Sequence, residues 1–204
     1  MTPARTFRTC DIDSAVEFTA PVHRDDRGQF TNVFRGSDFR SAVDRPLFAV
    51  RDVSFNVSGR GVLRGIHYTA GPPGRAKYVY CPHGRVRDYL VDLRVGSPTY
   101  GRSVCTELSG DNGRALYIPI GVGHAFLALE DRSTVVYLMS EEYDPLRELA
   151  VSALDPELGL SVPPGLPIAR SERDTAAPTL AEARAGGLLP EYRSCLEAEA
   201  ALWQ

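Results

Sequence analysis

The sequence predicts an all-β fold, a sandwich or barrel of short strands followed by short C-terminal helices. From about residue 15 to 145, short apolar or alternating runs are separated by Gly, Pro, Asn and Asp. Such runs, at intervals of roughly 8 to 12 residues, are typical of β-sandwiches and barrels. Near the C-terminus, segments 179–185 and 191–203 have a helical composition and are separated by Gly186, Gly187 and Pro190.

The predicted strands follow from these runs in chain order. Examples are residues 28–34, 47–57, 76–81, 86–94, 103–108, 115–118, 125–129 and 134–140. In the run VRDYLVDLR (86–94), the two-residue period of a strand places Asp88, Leu90, Asp92 and Arg94 on one face. A polar face inside a barrel indicates a wet site. Segment 155–167, rich in Pro, Gly and Leu, is predicted to wrap the barrel as irregular structure.

Length and composition limit the possible classes of protein. A chain of 204 residues, 43% of them hydrophobic, suits one domain with a tail. We expect a barrel with N-terminal strands over 1–165 and a partly helical extension over 166–204. The formal net charge of -3 gives no general attraction to nucleic acid or to anionic membranes.

The location of the protein is predicted from its hydrophobic pattern and its cysteines. No window approaches the roughly 18 apolar residues of a membrane span, and the N-terminus lacks the apolar stretch of a signal peptide. Four scattered cysteines form no CxxC or Cys/His zinc spacing. We therefore expect a soluble, cytosolic protein with reduced thiols.

Two histidines lie in patterns that indicate a cupin-type jelly roll. Gly113, Pro119, Gly121 and His124 fit the second cupin pattern, glycine, five residues, Pro-x-Gly, two residues, histidine. Gly61 and His67 fit the start of the first pattern. These spacings describe a strand, a tight turn and a histidine directed into the barrel.

The first pattern stops where a metal-binding cupin would continue. Such a protein would have a second histidine at position 69 and a glutamate shortly after, but this chain has Thr69 and then AGPPG. His67 and His124 alone make a poor metal site, because histidine sites generally recruit three or more protein ligands. We expect neither a metal nor another cofactor, and a metal-dependent cupin isomerase or dioxygenase remains an alternative.

Lys77 is the single lysine among 23 basic residues. A compact ammonium group can change its pKa on burial, which arginine does not do readily. In the stretch LRGIHYTAGPPGRAKYVY, Arg64 and Lys77 flank His67. This concentration of ionisable groups makes His67 a candidate functional residue.

Six collinear segments resemble the dTDP-4-dehydrorhamnose 3,5-epimerase family, over about residues 15 to 183. They are DDRG (25–28), GVLRGIHY (61–68), AKYVYC (76–81), VGSPTYG (95–101), IPIGVGHAF (118–126) and LDPELGL (154–160). The variant GIHYTAGPPGRAKYVYC is similar to the branch that makes deoxysugars for antibiotics. Several members of that branch epimerise only carbon 3 of dTDP-4-keto-6-deoxyglucose.

The resemblance implies a role for each matching catalytic position. His67 matches the catalytic base, and Asp174 matches the aspartate that pairs with it. Tyr137 matches the tyrosine that donates a proton. Lys77 matches the residue beside the substrate ketone, and Arg64 matches a residue beside the diphosphate.

The resemblance also implies the substrate-binding residues and the assembly. Arg27 matches a nucleotide-phosphate contact that is often made across a dimer, and His124 and Asp88 match polar residues of the barrel interior. Tyr143 is also assigned to substrate binding. Family precedent, together with the tendency of exposed sheet edges to be covered by pairing, predicts a homodimer.

The sequence departs from the family pattern at the nucleotide site. Asp52 and Ser54 replace the Gln and Asn of a QxN arrangement, and Asn32 replaces a glutamate. An acid at position 52 near a diphosphate is unfavourable unless it is paired, for instance with Arg51 or Arg64. We still assign Asp52 and Ser54 to substrate binding.

These residue types suit proton transfer beside a ketone. The resulting enolate requires a base, a proton donor and a positive or hydrogen-bonding group at the oxygen, which His67, Tyr137 and Lys77 supply. Two further alternatives remain open: a non-catalytic module that binds sugar nucleotides, and epimerisation at carbons 3 and 5 rather than at carbon 3 alone.

Overall fold

The computed structural model describes residues 5–204, which contain thirteen strands and four short helices. The strands are β1 (Thr6–Thr9), β2 (Val16–Thr19), β3 (Val22–Asp25), β4 (Gly28–Thr31), β5 (Asp52–Ser58), β6 (Leu63–Thr69), β7 (Lys77–His83), β8 (Arg85–Asp92), β9 (Ser103–Ser109), β10 (Arg114–Ile118), β11 (Val122–Ala128), β12 (Ser133–Met139) and β13 (Glu148–Ala150). The helices are α1 (Gly36–Val43), α2 (Glu172–Thr175), α3 (Leu180–Ala185) and α4 (Tyr192–Ala201). None of the helices in this part of the chain is long and apolar enough to cross a membrane.

The strands form two antiparallel sheets that enclose a common core. One sheet has six strands in the order β1-β2-β10-β7-β12-β5, and the other has five in the order β13-β6-β11-β8-β9. The β3–β4 hairpin is separate. Apolar side chains of both sheets meet between them, among them Val79 and Leu116 of the first sheet and Leu90 and Phe126 of the second. This architecture confirms the predicted all-β jelly roll.

Two further clusters cover the outer faces of the sheets. Leu158, Leu180 and Leu189 pack against the outer face of the five-stranded sheet. Phe39 of α1 and Cys195 of α4 cover the six-stranded sheet. The edge strand β5 of the six-stranded sheet is left uncovered, because Val53, Phe55 and Val57 remain exposed.

The polar face predicted for strand β8 lies inside the barrel, but its residues serve two purposes. Asp92 and Arg94 form a buried ion pair, with 2.8 Å between Nε and Oδ1, to which Ser97 and Thr99 add hydrogen bonds. Asp88 lies further back along the strand, beside the cavity described below. The water-accessible site predicted for this face is therefore restricted to the end of the strand that carries Asp88.

Several elements differ from the sequence prediction. The strand predicted over 47–57 begins only at Asp52, because Phe48 packs in the outer core in an irregular segment. Helix α1 was not predicted, since only one of its side chains, that of Phe39, is buried and Arg35 provides no side-chain cap. Strand β1 was also missed, since all four of its residues are exposed and give no alternation.

Candidate active site

A cavity of about 300 Å³ opens between the two sheets. It is surrounded by strands β5, β6, β7, β11 and β12, with contributions from β13, α2 and the segment after β12. Its lining residues are Ser54, Asn56, Arg64, His67, Arg75, Lys77, His124, Phe126, Tyr137, Met139, Tyr143, Glu148 and Arg173. Seven of the eleven residues assigned from the sequence therefore line one cavity.

Asp174 supports His67 from behind the cavity wall. The Nε2 atom of His67 lies 2.6 Å from Oδ1 of Asp174, whose side chain is 3% exposed. Helix α2 positions this carboxylate, and Ser171 caps the helix by accepting a hydrogen bond from the Asp174 amide. Burial raises the pKa of Asp174, but hydrogen bonds from His67 and Ser171 outweigh it and hold the pKa below its ordinary value.

A second histidine–carboxylate pair lies beside the first. His124 on β11 stands opposite His67 on β6, and its Nε2 lies 2.8 Å from Oδ2 of Asp88. Asp88 is fully buried, and its Oδ1 has no hydrogen-bond partner within residues 5–204. The ring of Tyr137 meets that of His124 edge to face at 5.7 Å between centroids. The interior of the barrel therefore holds an additional negative charge close to the tyrosine.

Tyr137 remains a protonated phenol in this environment. Burial raises its pKa, and the negative charge of Asp88 raises it further. The hydroxyl accepts a hydrogen bond of 3.3 Å from Nδ2 of Asn56, on the neighbouring strand β5. An accepted bond leaves the phenolic proton free to be donated elsewhere.

Lys77 begins strand β7 and is 5% exposed. Burial lowers the pKa of its ammonium group to about 8, against the opposing attraction of Glu148. Within the described chain its Nζ makes no hydrogen bond or ion pair. The ammonium is therefore available to an oxygen atom that enters the cavity.

Two arginines bring further positive charge to the cavity. Nε of Arg64 donates to Oγ of Ser58 at 3.2 Å, and Arg173 donates to the carbonyl oxygen of Glu148 at 2.8 Å. In both residues, guanidinium nitrogens remain for another anion. This part of the cavity can bind a negatively charged group.

Four assigned residues do not line the cavity: Asp174 and Asp88 stand behind its two histidines, and the other two lie apart from it. Arg27 lies at the tip of the β3–β4 hairpin, 89% exposed at its side chain, and bonds to Asp25. Asp52 begins β5 and accepts a hydrogen bond of 3.2 Å from Ser54.

The pairing suggested for Asp52 with Arg51 or Arg64 was wrong. Arg51 lies 3.7 Å from Glu141, and Arg64 bonds to Ser58. Asp52 is only half-buried, so solvent and the Ser54 hydroxyl reduce its need for a cation.

Sequence reasoning missed six of the lining residues: Asn56, Arg75, Phe126, Met139, Glu148 and Arg173. Two of them had a usable signal. Asn56 follows Ser54 by two residues and Arg75 precedes Lys77 by two, which places each pair on one face of an extended segment. Glu148 belongs to a three-residue strand far along the chain and had no such signal.

Both cavity histidines have carboxylates as partners. Within residues 5–204 there is no group of three His, Cys, Asp or Glu side chains placed to hold a metal ion. The groups that converge are a histidine–aspartate pair, a phenol and an ammonium, which are the parts of an acid–base site. A jelly roll with such a cavity is suited to an isomerase that moves a proton on a bound substrate.

Comparison with known proteins agrees with this class. The family model described as dTDP-4-dehydrorhamnose 3,5-epimerase matches residues 9–182. The chain belongs to this epimerase family, which confirms the resemblance noted in the sequence.

Three relatives illustrate the similarity. A 4-keto-6-deoxy sugar epimerase, NovW, from the novobiocin biosynthetic gene cluster of Streptomyces spheroides is 45% identical, with a TM-score of 0.90, covering 96% of this chain and 97% of its own. ChmJ, a 3'-monoepimerase from Streptomyces bikiniensis in complex with dTDP-quinovose, is 44% identical, with a TM-score of 0.89 and coverage of 95% and 98%. A dTDP-4-dehydrorhamnose 3,5-epimerase of Mycobacterium tuberculosis is 44% identical over 91% of this chain and 92% of its own.

Proposed function

We propose that the protein epimerises dTDP-4-keto-6-deoxyglucose at carbon 3, in the biosynthesis of deoxysugars for antibiotics. The observation that carries the proposal is the convergence of His67, Tyr137 and Lys77 on one cavity, with Asp174 behind the histidine. Two similar proteins, a 3'-monoepimerase with a bound dTDP-sugar and a 4-keto-6-deoxy sugar epimerase, support the choice of substrate.

His67 acts as the base in this proposal. Its Nε2 is bonded to Asp174, so Nδ1 is the ring nitrogen that remains for the substrate. Nδ1 takes the proton from carbon 3, whose acidity comes from the neighbouring ketone at carbon 4. The ionised Asp174 then stabilises the imidazolium that forms.

Lys77 stabilises the enolate. When the carbon–hydrogen bond breaks, its electron pair forms the double bond between carbons 3 and 4, and the negative charge moves to the ketone oxygen. A protonated ammonium at that oxygen supplies the compensating charge, and the burial of Lys77 strengthens this interaction. No step requires a metal or a redox cofactor.

Tyr137 completes the epimerisation by donating its proton to carbon 3 on the face opposite His67. Its raised pKa keeps the phenol protonated until a strongly basic carbon is present. The products are the inverted sugar, a phenolate and an imidazolium. Exchange with solvent restores the phenol and the neutral histidine for the next turnover.

The remaining assigned residues bind the sugar nucleotide. Arg64 binds the diphosphate, because charge-assisted hydrogen bonds between guanidinium and phosphate are strong. Ser54 and Tyr143 also line the cavity, with Asp52 next to Ser54, and we assign them to contacts with the nucleotide. The pair of His124 and Asp88 faces the sugar from the barrel interior.

A homodimer would bring Arg27 to this site. Val53, Phe55 and Val57 are 63%, 69% and 48% exposed along one face of β5, an edge strand of the six-stranded sheet. Contiguous exposed apolar residues on an edge strand mark an interface. Phe30, 67% exposed, adds a further apolar residue on the hairpin that carries Arg27. We propose that a second copy covers this face and contributes its hairpin to the site.

The dimer is tested by charge insertion. Phe55→Glu is expected to convert the dimer to a monomer in analytical ultracentrifugation. Leu146→Glu replaces a residue that is 91% exposed but lies off this strand, and it is expected to leave the dimer intact. A native protein that sediments as a monomer, or a dimer that survives Phe55→Glu, would contradict the proposed interface.

The second candidate function is epimerisation at both carbons 3 and 5. The similarity to the mycobacterial 3,5-epimerase favours it, because its 44% identity is close to that of the 3'-monoepimerase. The same base can serve both carbons if the ring turns in the cavity.

The two functions are separated by incubation with dTDP-4-keto-6-deoxyglucose in heavy water and by NMR of the product. Deuterium with inversion at carbon 3 alone is the expected result. Deuterium and inversion at both carbons would establish the second candidate, and tight binding of the nucleotide sugar without any deuterium incorporation would exclude both.

We also propose a cytoplasmic location. The structure has four cysteines, Cys10, Cys81, Cys105 and Cys195, and all are free thiols. Free thiols suit a reducing compartment. Localisation of a tagged protein by cell fractionation would test this assignment.

A further inference from the structure

Arg75 and Glu148 form a buried ion pair in the wall of the cavity. Nη2 of Arg75 lies 2.5 Å from Oε1 of Glu148, and both side chains are 5% exposed. Thr69 donates a hydrogen bond to the same oxygen, and the guanidinium lies over the ring of Tyr143 at 5.7 Å. This pair belongs to none of the catalytic roles assigned above.

The guanidinium of Arg75 is incompletely satisfied. Its Nε and Nη1 atoms are buried and have no hydrogen-bond partner within residues 5–204. Leaving a buried donor unpaired is destabilising, and more so when the group is charged. Buried ion pairs are also often no more stabilising than apolar residues of similar volume. A purely structural role therefore explains this pair poorly.

The position of the pair points to Lys77 instead. Arg75 precedes Lys77 by two residues at the start of β7, and all three side chains line the same cavity. We propose that the Arg75–Glu148 ion pair controls the protonation state of Lys77. Through Lys77 it also controls the pH range in which an enolate can be stabilised. The consequence for catalysis rests on the proposed function.

The charges around Lys77 act in opposite directions. Beyond burial, the charge of Glu148 raises the pKa of Lys77 most strongly, Arg75 lowers it, and Asp88 on β8 raises it. The other ionisable groups that face the cavity are His67 and Arg64 on β6, His124 on β11, Tyr137 on β12, Tyr143 after β12 and Arg173 on α2. Removing the charge of one member of the pair therefore leaves the effect of the other on the pKa of Lys77 uncompensated.

Substitutions with uncharged residues distinguish this role from a structural one. Arg75→Gln is expected to raise the pKa of Lys77, and Glu148→Gln is expected to lower it. If the pair only held the wall together, either change would admit water and move the pKa of Lys77 upward, towards its ordinary value of 10.5. The downward shift in Glu148→Gln is the discriminating result.

The titration can be followed directly, because Lys77 is the only lysine of the chain. Protein labelled with lysine carrying ¹³C at Cε gives one resonance, whose chemical shift reports the protonation state of Lys77. The native protein is expected to titrate with a pKa of about 8. Shifts of about 1 unit in the two directions are the scale produced by one neighbouring charge.

Two further variants complete the test. Arg147→Gln changes an arginine that neighbours Glu148 in sequence but does not line the cavity, and it is expected to leave the titration in place. The double variant Arg75→Gln/Glu148→Gln leaves neither charge unpaired, so it keeps the test available if a single variant fails to fold. Because Glu148 has the larger influence, the double variant is expected to titrate below the native protein.

The basic limb of the pH profile of kcat/KM is expected to follow the NMR titration in each variant. Three results would overturn the proposal. They are a raised pKa of Lys77 in both Arg75→Gln and Glu148→Gln, a raised pKa in the double variant, and an unchanged pKa in both single variants. The NMR titration does not depend on turnover. An inactive native enzyme would thus count against the proposed function alone.

Discussion

His67 and His124 stand opposite each other on β6 and β11, and each is bonded through Nε2 to a different buried carboxylate. The two pairs differ in their exposure. His67 has 31% of its side chain exposed at the cavity, whereas His124 has 4%. A base must reach the substrate carbon, so this difference favours His67 as the base and assigns His124 to the wall of the site.

His67→Asn is expected to abolish deuterium exchange at the sugar. Asparagine retains a hydrogen-bonding group towards Asp174 but cannot accept a proton from carbon. General base catalysis contributes a factor of about 10² to 10⁴, and the rate of exchange should fall by at least that much. NMR of the sugar in heavy water measures it. His83→Asn, at the exposed end of β7, is the matched control, and normal exchange in His67→Asn would reject the base assignment.

Asp174→Asn is expected to lower the rate without abolishing binding. The carboxylate holds the tautomer and orientation of His67 through the 2.6 Å bond, and its lowered pKa keeps it ionised at neutral pH. An amide can bond to the ring but cannot stabilise the imidazolium. We expect kcat to fall by a factor of about 10² to 10⁴, with little change in the Kd for dTDP. Unchanged kcat would show that the pair is only structural.

Tyr137→Phe separates proton removal from proton return. The variant keeps His67 and Lys77, so carbon 3 should still lose its proton and exchange it with deuterium. Without the phenol, the proton returns from the same face, and the inverted sugar should form at a rate reduced by about 10² to 10⁴. The measurement is the ratio of exchange to inversion in one NMR experiment. Equal losses of both would assign Tyr137 to the first step instead.

The sequence located the residues proposed for catalysis, which converge on one cavity, better than it located the groups around them. His67 and His124 lie in glycine-spaced patterns, and alternation along β8 placed Asp88 inside the barrel. These signals are local, because they depend on turns and on the strand period. The pairing of Asp174 with His67 spans 107 positions and followed only from the family resemblance.

The cavity wall was less predictable for the same physical reason. Glu148 meets Arg75 across 73 positions, and nothing in the short strand β13 indicates that contact.

Two features outside the cavity were also difficult to predict. Helix α1 was missed because it lacks both a cap and a wide apolar stripe. The hairpin that carries Arg27 was recognised from its sequence motif. Its position outside the cavity of its own chain was not predictable, because that position depends on how the chain folds.

Lys77→Met tests whether the ammonium reduces stability in exchange for activity. The pKa of Lys77 falls from 10.5 in the unfolded chain to about 8 in the folded protein, so the unfolded state binds the proton more tightly. Below pH 8 both states are protonated, and folding bears the full cost of the buried charge. As the pH rises from 8 to 10.5, the folded protein loses the proton first and this cost disappears.

A difference of about 2.5 pKa units corresponds to about 3 kcal/mol, which is an upper value for the stability that Lys77→Met can regain at pH 7. Methionine has a similar length and brings no charge into the cavity. Urea denaturation at pH 7 should therefore give a higher free energy of unfolding for the variant, and the gap should narrow at pH 10. The same variant should lose a factor of about 10² to 10³ in kcat, because the enolate oxygen loses its cation. A variant less stable than the native protein at pH 7 would show that favourable contacts hold Lys77 in place. It would contradict the view that Lys77 is an unpaired buried cation available to the substrate.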